Sequence, residues 1–166
     1  LDIEIKSVKI LLNLKNYSFN LKTINPSIIY NKKKLKLNNI NTNFSISSFL
    51  KKNFSVDDLE ITTEEIKINN IVEFIRLYKN SPQLFILQKI IKEGVVVAKI
   101  NLNFDKNGKI KKDYKINGII KNGKVKLLNK VSVENLNFNF KIQNKEYFLS
   151  KDNLNFNKLK FLSELI

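Results

Sequence analysis

The chain has 166 residues, 43% of them hydrophobic and 27% charged, which suits one domain with a sizeable core and argues against disorder. It contains no His, Cys, Met or Trp. Imidazole acid–base chemistry, thiol nucleophiles, disulfides and zinc-knuckle or iron–sulfur ligand sets are therefore excluded. The net charge is +15, yet Arg76 is the only arginine. Arg is the residue favoured for bidentate phosphate and base contacts. With Asn, Ile, Lys and Phe abundant and Gly and Pro scarce, the bias of an AT-rich genome accounts for the charge better than a nucleic-acid surface does.

From the N-terminal end, the pattern that dominates is alternation with a period of two. Tyr17, Phe19 and Leu21 alternate with Ser18, Asn20 and Lys22, and Ile40, Phe44 and Ile46 with Asn41, Asn43 and Ser45. Such segments read as half-buried strands, apolar on one face and Lys/Asn-rich on the other. The run Lys32-Lys33-Lys34 is the densest basic spot. It reads as a solvated turn, with contact to anionic lipid headgroups as the sharper reading. Ser48 to Lys52 suggest a short turn of helix. Asp57, Asp58, Glu60, Glu64 and Glu65 form the acidic cluster and read as a solvated charge patch rather than an acid–base pair, because they flank a strand and a turn amid excess Lys.

The period then changes. Ile71, Phe74, Ile75 and Tyr78 fall at helical spacing, with Asn69 or Asn70 as the cap. Ser81-Pro82 supplies a second cap with proline at the first helical position, and Gly94 is expected to end that helix. Residues 70–93 thus read as a helical pair inserted between strands.

Beyond it, alternation resumes. Val96, Ala98, Ile100, Leu102 and Phe104 share one face; Leu136, Phe138, Phe140 and Ile142 share another such face, and Leu154 and Phe156 repeat the pattern. Asp105-Lys106-Asn107-Gly108 and Lys121-Asn122-Gly123-Lys124 are expected to be hairpin turns, Gln143-Asn144-Lys145 a weaker one, and Asn117-Gly118 a bulge. Asp105, Asn107 and Lys109 lack the remaining ligands of a calcium loop. No phosphate-binding loop, nucleophile elbow or SxxK motif occurs, so no enzymatic, metal or cofactor chemistry is expected.

The whole chain, residues 1–166, reads as one mainly β unit. It is an antiparallel meander forming a curved, groove-like sheet with one or two short inserted helices. An internal or processed piece of a longer protein is expected from Leu at position 1 and the lack of Met. A sheet with one greasy face must cover it with helices, close it on a second sheet, or curl it around lipid chains. Val96, Ile100, Leu102, Phe104, Ile116, Leu136, Phe138 and Phe140 are the residues expected on that face.

The order of FSVDDLEITTEEIKINN (54–70), the helical pair and GVVVAKINLNFDKNGKIKKDYKINGIIKNGKVKL (94–127) resembles the AsmA-like family of bacterial envelope proteins, which includes TamB-like and YhdP-like members. The rhythm is carried by Val56, Leu59 and Ile61, then Ile66, Ile68 and Ile71, and by the NFDKNGKI and YKINGIIKNGKV strands. The resemblance implies a segment of a long periplasmic protein, anchored in the inner membrane by a region outside this sequence. It further implies an apolar β-groove that carries phospholipid for outer-membrane assembly, with other envelope proteins as possible partners. It brings no catalytic residues. Two other readings stand beside it: a structural or adhesive β domain with a sealed core, and a basic nucleic-acid-binding module.

Overall fold

Alternating apolar and polar residues suit a pleated strand half in contact with other protein, and nearly every segment with that pattern is a strand. The computed structural model describes residues 2–15, 17–46, 56–78, 81–105, 107–127, 131–144, 146–151 and 154–156. In chain order the strands are β1 (Asp2–Glu4), β2 (Ser7–Asn13), β3 (Ser18–Ile24), β4 (Ser27–Tyr30), β5 (Lys33–Ser45), β6 (Val56–Thr63), β7 (Ile66–Lys67), β8 (Ile91–Asn103), β9 (Lys115–Leu127), β10 (Val131–Gln143), β11 (Glu146–Lys151) and β12 (Leu154–Phe156). Helices α1 (Ile68–Tyr78) and α2 (Pro82–Ile90) lie between β7 and β8. All the described strands join one antiparallel sheet, which stays open instead of closing into a barrel. The architecture is mainly β with two short helices, as expected.

From β5 to β12 the spatial order follows the chain as a meander, with β7 pairing beside β6 on β8. The N-terminal strands behave as two bent ribbons. The later part of β5 pairs with β3 and its first residues pair with β4; β2 pairs with β3 and β1 with β4. The bend falls at Asn25-Pro26. Asn25 has φ +47°, and proline brings no N–H to a ladder. The Asn25 N–H donates to the Asn38 carbonyl and the Leu37 N–H to the Pro26 carbonyl, both at 2.9 Å, so pairing continues through the bend.

Several turns follow their local chemistry. Asn31 and Lys32, both at positive φ, form a two-residue link closed by Tyr30 opposite Lys33. At Asp105 the carboxylate Oδ1 accepts from the N–H groups of Asn107 (2.8 Å) and Lys109 (2.9 Å), and Gly108 takes φ +75°. Asn144, at φ +52°, follows the closing pair Gln143–Glu146.

Other expectations are corrected. Tyr17 is not on a strand: it has φ +46° and lies exposed before β3. Asn69 and Asn70 do not cap α1, which already begins at Ile68. Gly94 does not end α2. The helix stops at Ile90, and Gly94 lies inside β8 at φ +132°, where the register to β9 shifts. A Cβ there would come within 2.8 Å of Ile68 Cδ1 and 3.1 Å of Gly123 Cα, so both backbone angle and space require glycine. The expected short helix at Ser48–Lys52 lies outside the described residues.

The Lys121-Asn122-Gly123-Lys124 turn is also corrected, because β9 runs straight through it. Between Gly123 opposite Leu136 and Ile120 opposite Phe138, β9 carries one residue more than β10. Between Val133 opposite Val125 and Leu136 opposite Gly123, β10 carries one more than β9. Asn122 (φ +51°) and Asn135 (φ +54°) take the left-handed conformations that these bulges need. Asn117-Gly118 is not a bulge at all. Gly118 keeps regular pairing with Ala98 and Phe140, and the Phe140 ring lies over it: a Cβ would sit 2.4 Å from Phe140 Cζ.

Helix α1 packs on β5, β7 and β8, while α2 touches β8 and β9. Ser81 caps α2 as expected, its Oγ accepting from the Leu84 N–H at 3.3 Å, with Pro82 following. Among the described residues the buried apolar side chains are Pro26, Leu37, Ile40, Phe44, Ile66, Val72, Val96 and Ala98, so the core gathers at α1 and along β5.

Candidate functional site

Antiparallel partners share a face, so the register places the apolar side chains in rows across the sheet. One row runs Val8, Thr23, Ile40, Ile61, Ile100, Ile116, Ile142 and Tyr147, from β2 to β11. A second joins Ile10, Leu21, Thr42, Leu59 and Leu102. Leu12, Phe19, Phe44 and Val56 form a third, with the Phe19 and Phe44 rings stacked at 4.9 Å. On the other side of the long row, Ile66, Val96, Ile120 and Phe138 align, and Phe140 sits between Gly118 and Leu149.

The eight residues expected on the apolar face all belong to this surface. Val96 is buried at the end covered by α1, and Ile100, Leu102, Ile116, Leu136, Phe138 and Phe140 are half-buried. Phe104 lies just past β8, bridged to Ile110, and helps line a hollow of about 230 Å³ with Thr42, Val56, Leu59 and Gly108. Leu136 stands opposite Gly123 at the bulge.

Three threonines interrupt the face without leaving polar groups stranded. Thr23 Oγ1 accepts from the Ile40 N–H (3.0 Å), Thr63 Oγ1 accepts from the Ala98 N–H (2.8 Å), and Thr42 Oγ1 donates to the Asp58 carbonyl (2.7 Å). Sequence reasoning missed the share of this face contributed by β2. Val8, Ile10 and Leu12 alternate, but Leu11 is apolar off-phase and obscures the period.

The opposite face is polar along most of its length. Asn20 Nδ2 donates to Asn43 Oδ1 (2.8 Å), and Asn43 Nδ2 donates to the Asp58 carboxylate (3.0 Å). Lys99 pairs with Glu60 at 2.8 Å and Lys121 with Glu65 at 2.6 Å. Asp58, Glu60 and Glu65 of the acidic cluster are thus spread among cations and amides. Across the bulge, Lys124 and Glu134 pair at 2.8 Å; their hydrogen bond raises the lysine pKa and lowers the carboxyl pKa.

In the basic run, Lys33 pairs with Glu73 on α1 and Lys34 with Glu4 on β1, so two of its three ammonium groups have carboxylate partners. Hydrogen bonding to Lys33, then its charge, holds the Glu73 carboxyl below its usual range. Among the described residues no helix is long and apolar enough to cross a membrane.

The arrangement offers a broad apolar surface, a surface for contact with apolar matter. Comparison with family models, curated proteins and solved structures yields no match to this chain.

Proposed function

We propose that the apolar face binds phospholipid acyl chains and passes them along the sheet, as one groove segment of an AsmA-like, inner-membrane-anchored periplasmic protein serving outer-membrane assembly. The observation behind this reading is the row from Val8 to Tyr147, which crosses eight strands and contains no charged residue. Exposing an acyl chain to water costs about 0.8 kcal/mol per CH₂, so a chain of ~16 carbons resists leaving a bilayer by more than ~10 kcal/mol. A continuous apolar track lowers that barrier by putting side chains where water would be. It needs neither hydrolysis nor a shaped pocket. Headgroups would stay in solvent, within reach of the lysine-rich surroundings.

The test is the phospholipid that co-purifies with the full chain, quantified by mass spectrometry. Leu102→Asp and Phe138→Asp each place a charge on the track and should reduce bound phospholipid at least tenfold, while Asn101→Asp on the opposite face should not. Equal phospholipid in all four proteins refutes the reading.

A second reading is favoured by one observation, the burial of Leu37, Ile66, Val72 and Val96 beneath and beside α1. A sealed structural domain would bury its apolar face in this way throughout, and it predicts no bound lipid in the unmodified chain.

A further inference from the structure

The polar face is not polar everywhere. From Thr62 of β6 across β8–β11 it carries a depression of about 610 Å³, within the usual size of small-ligand sites. Val97 and Ile119 are opposed in register, and Asn139 and Ser150 continue their row. The adjacent row runs Lys99, Asn117, Lys141 and Phe148. A diagonal from Val97 through Ile119 to Phe148 therefore carries apolar side chains across an otherwise hydrophilic surface, interrupted at β10, where Asn139 and Lys141 stand. Ile119 is 45% exposed and Phe148 38%, so protein does not fill this diagonal.

The two lysines beside it differ. Lys99 is neutralised by Glu60. The Lys141 ammonium lies 5.9 Å from the Phe148 ring centre, and among the described residues no carboxylate pairs with it. The β10–β11 side thus presents an aromatic ring beside a cation that no described carboxylate neutralises, and the β8–β9 side presents aliphatic side chains. We propose that this depression binds a single-chain amphiphile with an anionic end, its head at Lys141 and its chain along Phe148, Ile119 and Val97. A bare anion would leave the apolar floor wet, and a neutral chain would make no use of the ammonium. The depression reaches across five strands, about 19 Å at the usual strand spacing, room for one extended chain. The inference is independent of the reading of the opposite face.

The probe is dodecanoate, titrated below micelle formation into the full chain with isotope-labelled Val and Ile methyl groups. Dodecanol and acetate serve as the neutral and the chainless arms, and dodecyl phosphate as the other headgroup. Dodecanoate should shift the Val97 and Ile119 methyl signals and leave those of Ile100 and Ile116 in place. Dodecyl phosphate should behave alike, dodecanol should bind at least fivefold more weakly, and acetate should not shift them. Lys141→Gln, at an exposed position, should weaken dodecanoate about tenfold and leave dodecanol unchanged. Shifts confined to Ile100 and Ile116 would assign amphiphile binding to the opposite face and overturn this site. So would equal affinity for dodecanoate and dodecanol, acetate shifting the same methyls, or the absence of binding.

Discussion

Two ends of the same apolar surface meet water very differently. Where α1 packs on β5, β7 and β8, Leu37 is 1% exposed and Val72 3%. On β2, at the N-terminal margin, Ile10 is 65% exposed and Leu12 60%, with Leu11 exposed on the reverse side. The residue types are alike, so hydrophobicity alone does not set burial. Position does: β5 has pairing partners on both sides and a helix nearby, whereas among the described residues β2 pairs only with β3. An unpaired, apolar edge strand is a feature that proteins usually blunt with charge or cover with other structure.

The contrast can be broken most decisively by a pair of substitutions. Leu37→Ala should cost about 2–5 kcal/mol, since it opens a cavity in packed surroundings. Ile10→Lys should change stability by no more than about 0.5 kcal/mol, since little protein surrounds it. Urea unfolding of both variants checks this, and similar losses would erase the distinction.

Gly118→Ala examines the far side of the sheet, on β9. Its Cβ would press on the Phe140 ring and come 2.8 Å from the Val97 carbonyl, so a loss of about 1–3 kcal/mol is expected, read from the same denaturant curves. No measurable loss would show that the Phe140 ring and the Val97 carbonyl both yield to the methyl group.

A smaller effect tests how far the helical insertion depends on its own termini. Ser81→Ala removes the acceptor for the Leu84 N–H and should cost about 1 kcal/mol. Hydrogen exchange at Leu84 and neighbouring amides should quicken in step.

The smallest expected effect concerns the tie between α1 and the β4–β5 hairpin. Glu73 has a lowered pKa in the folded chain because it hydrogen-bonds to Lys33 and feels its charge. A carboxyl whose folded pKa is depressed stabilises the fold above its unfolded pKa, and that contribution fades as pH falls through the folded value. The urea midpoints of the parent chain and Glu73→Gln should therefore differ at neutral pH and converge on acidification below the ordinary carboxylate range. The gap should be slight, because the pair is largely solvated.

These contrasts also mark where the sequence was readable. Strands with strict alternation, such as Val96 to Phe104 and Leu136 to Ile142, were visible because a period of two survives any neighbour. The same logic failed at Val8 to Leu12, where apolar residues on both faces removed the contrast. Asn122-Gly123 was a different failure. Asn-Gly signals positive φ, and a turn and a bulge demand that equally; only the partner strand distinguishes them. Gly94 was misread for the same reason, since a helix end and a bulge both welcome glycine. The apolar face was legible residue by residue, but its continuity was not, because rows depend on register between strands. The depression beside Lys141 was hidden, because it needs Val97, Ile119 and Phe148 from three strands, each lying on what alternation marks as the hydrophilic side.

The offset bulges in β9 and β10 make the alignment of these two strands self-checking. Asn122 and Asn135 each add one residue, and together they cancel, so Ile116 and Ile142 still meet after Val125 and Val133 have met. Sliding one strand by a single position would set both asparagines against straight backbone and turn the greasy residues of one strand outward. The defects thus act as a notched key, admitting one threading of β10 onto β9 during folding and rejecting its neighbours.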